Sequence, residues 1–148
     1  MALFHAATIT PTKAELIAEW APTRSWGPSA ADPIEVIGSY RFDDPDGRVG
    51  METHLVEAGG ALLQVPLTYR DEPLDGADDA LIAEMQHSVL GTRWVYDGLR
   101  DPQLVVMLAS VAGGPHGRVR AHSLMSSDLV GVIVAAWKRA IGRHGRAR

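Results

Sequence analysis

Three runs of alternating side chains, separated by two tight turns, constrain this chain more than any other feature. Ile34, Val36, Gly38, Tyr40 and Phe42 alternate with Glu35, Ile37, Ser39 and Arg41, a period of two that a strand sorts onto two faces. Asp43-Asp44-Pro45-Asp46-Gly47 follows with turn residues at useful places. A second strand is expected from about Arg48 to Glu57, with Val49, Met51, Thr53 and Leu55 facing one way and Glu52, His54 and Val56 the other. Gly59-Gly60 closes another hairpin. A third strand, Ala61 to Tyr69, puts Leu63, Val65, Leu67 and Tyr69 on one side. Pro66 has no N–H for a ladder, which predicts an edge strand or a bulge there. The three runs predict an antiparallel meander.

Helical signals flank this sheet, so the expected class is α+β, a curved antiparallel sheet packed with helices. Thr12-Lys13-Ala14-Glu15 reads as a capping box opening a helix to about Trp20, with Leu16, Ile17 and Trp20 buried. Ala2–Ile9 fits a short strand or an extended arm, and residues 21–33, with three prolines, a loop. Residues 70–79 form an acidic loop, and Leu81 to Leu90 fits helix or strand equally. Thr92 to Asp97 alternates Trp94 and Tyr96 against Arg93, Val95 and Asp97, a strand pattern. Asp101-Pro102 supplies an N-cap and a proline at N1 for an apolar helix that Gly113-Gly114-Pro115 stops. Residues 113–127 are expected to be a linker. Residues 128–148 are expected to form a last helix, to about Ile141, and a basic tail. Trp20, Trp26 and Trp137 are read as core or helix-packing residues.

With 148 residues, 46% of them hydrophobic, the chain suits one compact domain. It has no cysteine, which excludes disulfides and thiolate chemistry and disfavours a structural zinc site. The net charge of −4 is uneven: residues 1–137 hold nine basic and eighteen acidic groups, while Lys138 to Arg148 hold five basic groups and no acid. Such an acidic body repels nucleic acid and membrane surfaces. The longest apolar run, Leu129 to Trp137, is too short for a span of about 20 residues. Residues 1–12 carry no signal-peptide pattern. A cytoplasmic protein is the expectation.

Several clusters carry chemistry in principle. Asp43, Asp44 and Asp46 suit a hard cation, but an EF-hand loop begun at Asp43 would need a glutamate where His54 stands, so a turn explains them better. Glu52 and His54 share a strand face, as a general-base pair or two metal ligands would. A solvated polar face, with Arg41 and Arg93 on it, explains them too. His87, Arg93 and Asp97 around Trp94 and Tyr96 have the makings of a sugar site, with rings to stack and groups to bond hydroxyls. The plainer account makes the two aromatics core and pairs Arg93 with an acid. No metal site and no cofactor is expected, and phosphate-loop and dinucleotide motifs are absent from the sequence.

Three blocks resemble a known family: residues 42–53 (Phe42-Asp43-Asp44-Pro45-Asp46-Gly47 to Thr53), residues 64–70 (Gln64-Val65-Pro66-Leu67-Thr68-Tyr69-Arg70) and residues 87–98 (His87 to Gly98, including Gly91-Thr92-Arg93-Trp94-Val95-Tyr96-Asp97). In order and spacing, together with Asp101-Pro102, they look like the N-terminal cap domain of actinobacterial maltokinases, over roughly residues 1–112. The resemblance implies a cystatin-like cap that sits on a kinase N-lobe, and a link to maltose, trehalose or glucan metabolism. The ATP-, magnesium- and sugar-binding lobes have no counterpart after Gly113, so it implies no catalytic residue here.

Three readings stay open on these grounds. The leading one is a non-catalytic, regulatory or binding module whose partner is a protein, either a kinase-like lobe or a second copy paired through the 128–141 helix. The second is a small-ligand or carbohydrate binder using the concave sheet face. The third is an enzyme using Glu52, His54 or His87. Where Trp94 and Tyr96 point discriminates the first two.

Overall fold

The computed structural model describes residues 7–113. The chain divides into two compact units, Met1–Arg100 and Asp101–Arg148. Residues 1–6 of the expected N-terminal arm, the linker beyond Gly113 and the expected helix and tail over 128–148 lie outside the described residues.

The first unit is a curled, six-stranded antiparallel sheet with one helix. Its elements are β1 (Ile9–Thr10), α1 (Lys13–Trp20), β2 (Ile34–Phe42), β3 (Val49–Ala58), β4 (Ala61–Arg70), β5 (Leu81–His87) and β6 (Gly91–Asp97). The strands run in the order β1-β5-β6-β4-β3-β2. The predicted meander is therefore β2-β3-β4, in unbroken register from Val49↔Arg70 to Ala58↔Ala61 across its second hairpin. Gly59 and Gly60 both adopt positive φ, +57° and +78°, the backbone that a two-residue hairpin of matching twist requires. At the first turn the Asp44 carboxylate accepts from the N–H groups of Asp46, Arg48 and Val49, so the aspartate serves the turn. Residues 81–87, equally helix or strand by pattern, form a hairpin with β6.

Pro66 corrects one expectation. β4 lies in the interior of the sheet, and its pairing with β3 shows no shift at Thr53↔Pro66. Pairing with β6 begins only at Leu67↔Asp97, so Pro66 lies where one side of β4 is still without a neighbour. The missing N–H is tolerated there without an edge strand or a bulge.

The bulge lies instead in β2, where the register slips between Val36 and Gly38. The extra residue, Ile37, is half exposed. It reverses the parity of the strand. Ile34 and Val36 lie opposite Ala58 and Val56, but past the bulge Ser39 and Arg41, not Tyr40, share the face of His54 and Glu52. Strict alternation would have put Ser39 and Arg41 on the other side.

Helix α1 opens with the predicted capping box: Thr12 Oγ1 accepts from Glu15 N–H and Glu15 Oε2 accepts from Thr12 N–H. Its Leu16 and Ile17, with Ala21, pack on Val56, Val65, Leu67, Tyr69, Met85 and Val95, one face of the sheet. Trp20 is only half-buried and meets Trp26 edge to face, with centroids 5.6 Å apart. Trp26, expected as a core or helix-packing residue, is exposed and meets α1 through this ring contact rather than entering the core, because the proline-rich stretch that carries it runs over the surface.

In the second unit α2 (Pro102–Gly113) begins as expected. Asp101 Oδ1 accepts from Gln103 N–H at 2.9 Å, and the Asp101 carbonyl accepts from Val105 N–H. Leu104, Leu108 and Ala109 are its buried residues. Among the described residues no helix is long and apolar enough to cross a membrane.

Candidate functional site

The α1-covered face gathers an unusual number of polar groups at one end. From β3 come Glu52 and His54, and from β2, through the bulge, Ser39 and Arg41. Tyr69 comes from β4 and Lys13 from the first turn of α1. Glu52 and His54 are 5% and 2% exposed, which overturns the solvated polar face. Burying a carboxylate costs several kcal/mol unless partners compensate it. Here the partners are present. Glu52 Oε2 is ion-paired with Lys13 Nζ, its Oε1 accepts from Ser39 Oγ at 2.8 Å, and Arg41 Nη1 lies 4.0 Å away. His54 Nε2 shares a 2.9 Å hydrogen bond with the Tyr69 hydroxyl and lies 3.9 Å from Glu52. The Lys13 ammonium also stands over the Tyr69 ring, 5.1 Å from its centroid.

The protonation states follow from these contacts. Burial pushes the Glu52 carboxyl up, but Lys13, the Ser39 hydroxyl and His54 outweigh it, and the group ends below its ordinary value. Burial holds the His54 imidazole below its ordinary value, despite the upward pull of Glu52, and Lys13 and Arg41 push it further down. Burial, and then the Glu52 charge, push the Tyr69 phenol strongly up. At neutral pH the site thus holds a carboxylate, a neutral imidazole and a protonated phenol.

Stability should depend on pH in a defined window. As the pH falls through about 6.5 the unfolded chain protonates His54 while the native state resists, so stability is lost. Glu52 adds to the loss below about 4.5, for its native pKa is also depressed. Thermal melts from about pH 7.5 to about pH 5.5 should show a falling Tm, and His54→Gln should flatten that segment. Equal slopes for the two proteins would contradict this account.

Beyond the first turn of α1 the same face stays open as a cleft of about 390 Å3. Its lining includes Ile9, Lys13, Arg41, Tyr69, Met85 and Arg93. Gly50, opposite Tyr69, helps keep it open: a Cβ there would stand 3.5 Å from Tyr69 Cβ and 3.6 Å from Arg41 Nη2.

The seven residues proposed from sequence do not form one site. Arg93 and His87 line the cleft. His87 Nδ1 accepts from the N–H groups of Val89 and Leu90 and so braces the β5–β6 turn. Asp97 shares this face and accepts from Leu99 N–H, and burial raises its carboxyl pKa despite that bond. Trp94 and Tyr96 alternate onto the opposite face. Tyr96 is buried, with its hydroxyl accepting from Leu74 N–H at 2.8 Å, and Trp94 is half-buried. The sheet therefore stands between the aromatic pair and the cleft. Arg93 forms no ion pair among the described residues; its hydrogen bond goes to the Thr92 carbonyl at 3.4 Å.

Lys13, Ser39, Tyr69 and Gly50 were not foreseen. The capping box placed Lys13 on a helix, but nothing in the pattern said which strand that helix would cross. Among the described residues no three His, Asp or Glu side chains are grouped as a metal site.

Residues 20–101 match the model of the maltokinase N-terminal cap domain, more than half of the chain. That segment runs from the end of α1 through β6, while β1 and most of α1, with Lys13, precede it. No curated protein and no solved structure matches the chain.

Proposed function

Because this chain belongs to the maltokinase N-terminal cap domain family, we propose that it is a non-catalytic binding module, one that docks a kinase-like lobe in maltose, trehalose or glucan metabolism. A cytoplasmic setting and a protein partner are parts of the same proposal. The observation that carries the non-catalytic reading is the closure of the Glu52–His54 pair. A general base must come within hydrogen-bond reach of the proton it takes. His54 is 2% exposed and its Nε2 is bonded to Tyr69, while both Glu52 oxygens are held by Lys13 and Ser39. Glu52 ties α1 to the sheet through Lys13, and both side chains of the pair are sealed from solvent. The burial of Tyr96 favours a scaffold over a sugar-stacking platform.

Two measurements test the proposal. The purified chain should neither hydrolyse ATP nor phosphorylate maltose; turnover that survives repurification and falls with His54→Gln would refute the non-catalytic reading. Mixed with maltokinase lobes from which the cap has been deleted, it should form a complex in size-exclusion chromatography with light scattering. Two unshifted peaks at micromolar concentrations would refute the docking reading.

A further inference from the structure

The cleft beside α1 carries four cations whose commitments differ. The Lys13 ammonium is held by Glu52. Arg48 pairs with Glu72 at 2.8 Å and Asp71 at 3.8 Å. Among the described residues Arg41 comes no nearer than 4.0 Å to a carboxylate oxygen, the same Glu52 Oε2 that already binds Lys13. Arg93 has its 3.4 Å bond to the Thr92 carbonyl. A guanidinium offers five N–H donors in a planar fork that matches a carboxylate or phosphate. Arg41 and Arg93 thus bring mostly uncommitted forks to one cleft, from opposite sides of the β3–β4 pair. The same lining includes apolar and aromatic surface from Ile9, Met85, Leu90 and the Tyr69 ring. The volume of about 390 Å3 is that of a small-molecule site. Asp43, Asp44 and Asp71 also line the cleft and repel a polyanion, so a single charged head on a compact apolar body fits best.

We infer that this cleft binds a small organic anion, a carboxylate or phosphate monoester, whose head is held by Arg41 and Arg93 and whose body lies against Ile9, Tyr69 and Met85. The inference rests on the reading that the cap acts by binding, and it names the ligand chemistry of its open face.

The test is an amide NMR titration of the full chain with phenyl phosphate, inorganic phosphate and benzyl alcohol. Phenyl phosphate should shift the amides of Gly50 and Arg93 saturably. Benzyl alcohol, which lacks the charge, should leave them in place, and inorganic phosphate, which lacks the body, should bind about tenfold more weakly. Arg93→Gln should weaken phenyl phosphate by about tenfold or more, since it removes a charge-assisted pair. Gly50→Val should abolish binding by filling the cleft; if it does not fold, Gly50→Ala and Arg41→Gln serve in its place. Saturation by benzyl alcohol at the same concentrations, or unchanged phenyl phosphate affinity in an Arg41→Gln/Arg93→Gln double variant, overturns the inference. The docking reading fails separately: lobes that ignore a cap still titrating with phenyl phosphate refute docking and uphold the anion site, and lobes bound by a cap blind to phenyl phosphate do the reverse.

Discussion

Ile17→Ala should destabilise the cap unit by about 2–5 kcal/mol, the cost of emptying a fully buried aliphatic position. At roughly 4–8 °C of Tm per kcal/mol for a unit of this size, the shift would be about 8 °C or more. Ile17 is 0% exposed and packs in the cluster of Val56, Val65, Leu67, Met85 and Val95, although it precedes the family-matched segment at residues 20–101. The experiment therefore asks whether α1 is integral to the unit. Ile37→Ala is the control: Ile37 is a half-exposed bulge residue, and its truncation should change stability by less than about 1 kcal/mol. Similar melting points for Ile17→Ala and the parent chain would show that the sheet folds without the helix.

The second large effect concerns the ion pair beneath the cleft. Lys13→Met should cost about 2–3 kcal/mol, less than a fully enclosed pair because Lys13 is 28% exposed at its side chain. The loss leaves the Glu52 carboxylate buried, bonded to Ser39, with the neutral His54 at 3.9 Å and Arg41 at 4.0 Å. Glu52→Leu in the Lys13→Met background should recover much of the stability, because removing both charges also removes the desolvation penalty. A double variant less stable than Lys13→Met would mean that the carboxylate is retained for packing or for its bond to Ser39. Chemical denaturation at pH 7 distinguishes these outcomes, provided the m-value is unchanged.

Much of the fold was legible because its signals are local. A period of two between turn residues identifies β2, β3 and β4 without reference to anything distant, and Thr12 with Glu15 marks the start of α1 through bonds within one helical turn. Asp44 as a turn former was legible for the same reason. Leu81–His87 was not, since a short apolar run fits helix or strand until a partner strand is present. Pro66 misled because its tolerance depends on where the β4–β6 ladder begins, a property of two strands far apart in the chain.

The candidate site divides in the same way. By itself the sequence determined that Glu52 and His54 share a strand face, that Trp94 and Tyr96 share another with Arg93 and Asp97 opposed to them, and that no phosphate-binding motif is present. These follow from alternation, which needs only the backbone of one strand. Only the tertiary structure decided what those faces meet. The bulge at Ile37 brought Ser39 to Glu52, on the face where Arg41 was expected, the crossing of α1 brought Lys13 down onto the same carboxylate, and the register of β3 with β4 set Tyr69 opposite Gly50 at the edge of the open cleft. A single extra residue reverses the facing of the rest of its strand, and burial depends on elements distant in sequence. Whether Glu52 and His54 would be a wet surface or a sealed, compensated pair was thus a question that strand periodicity does not contain.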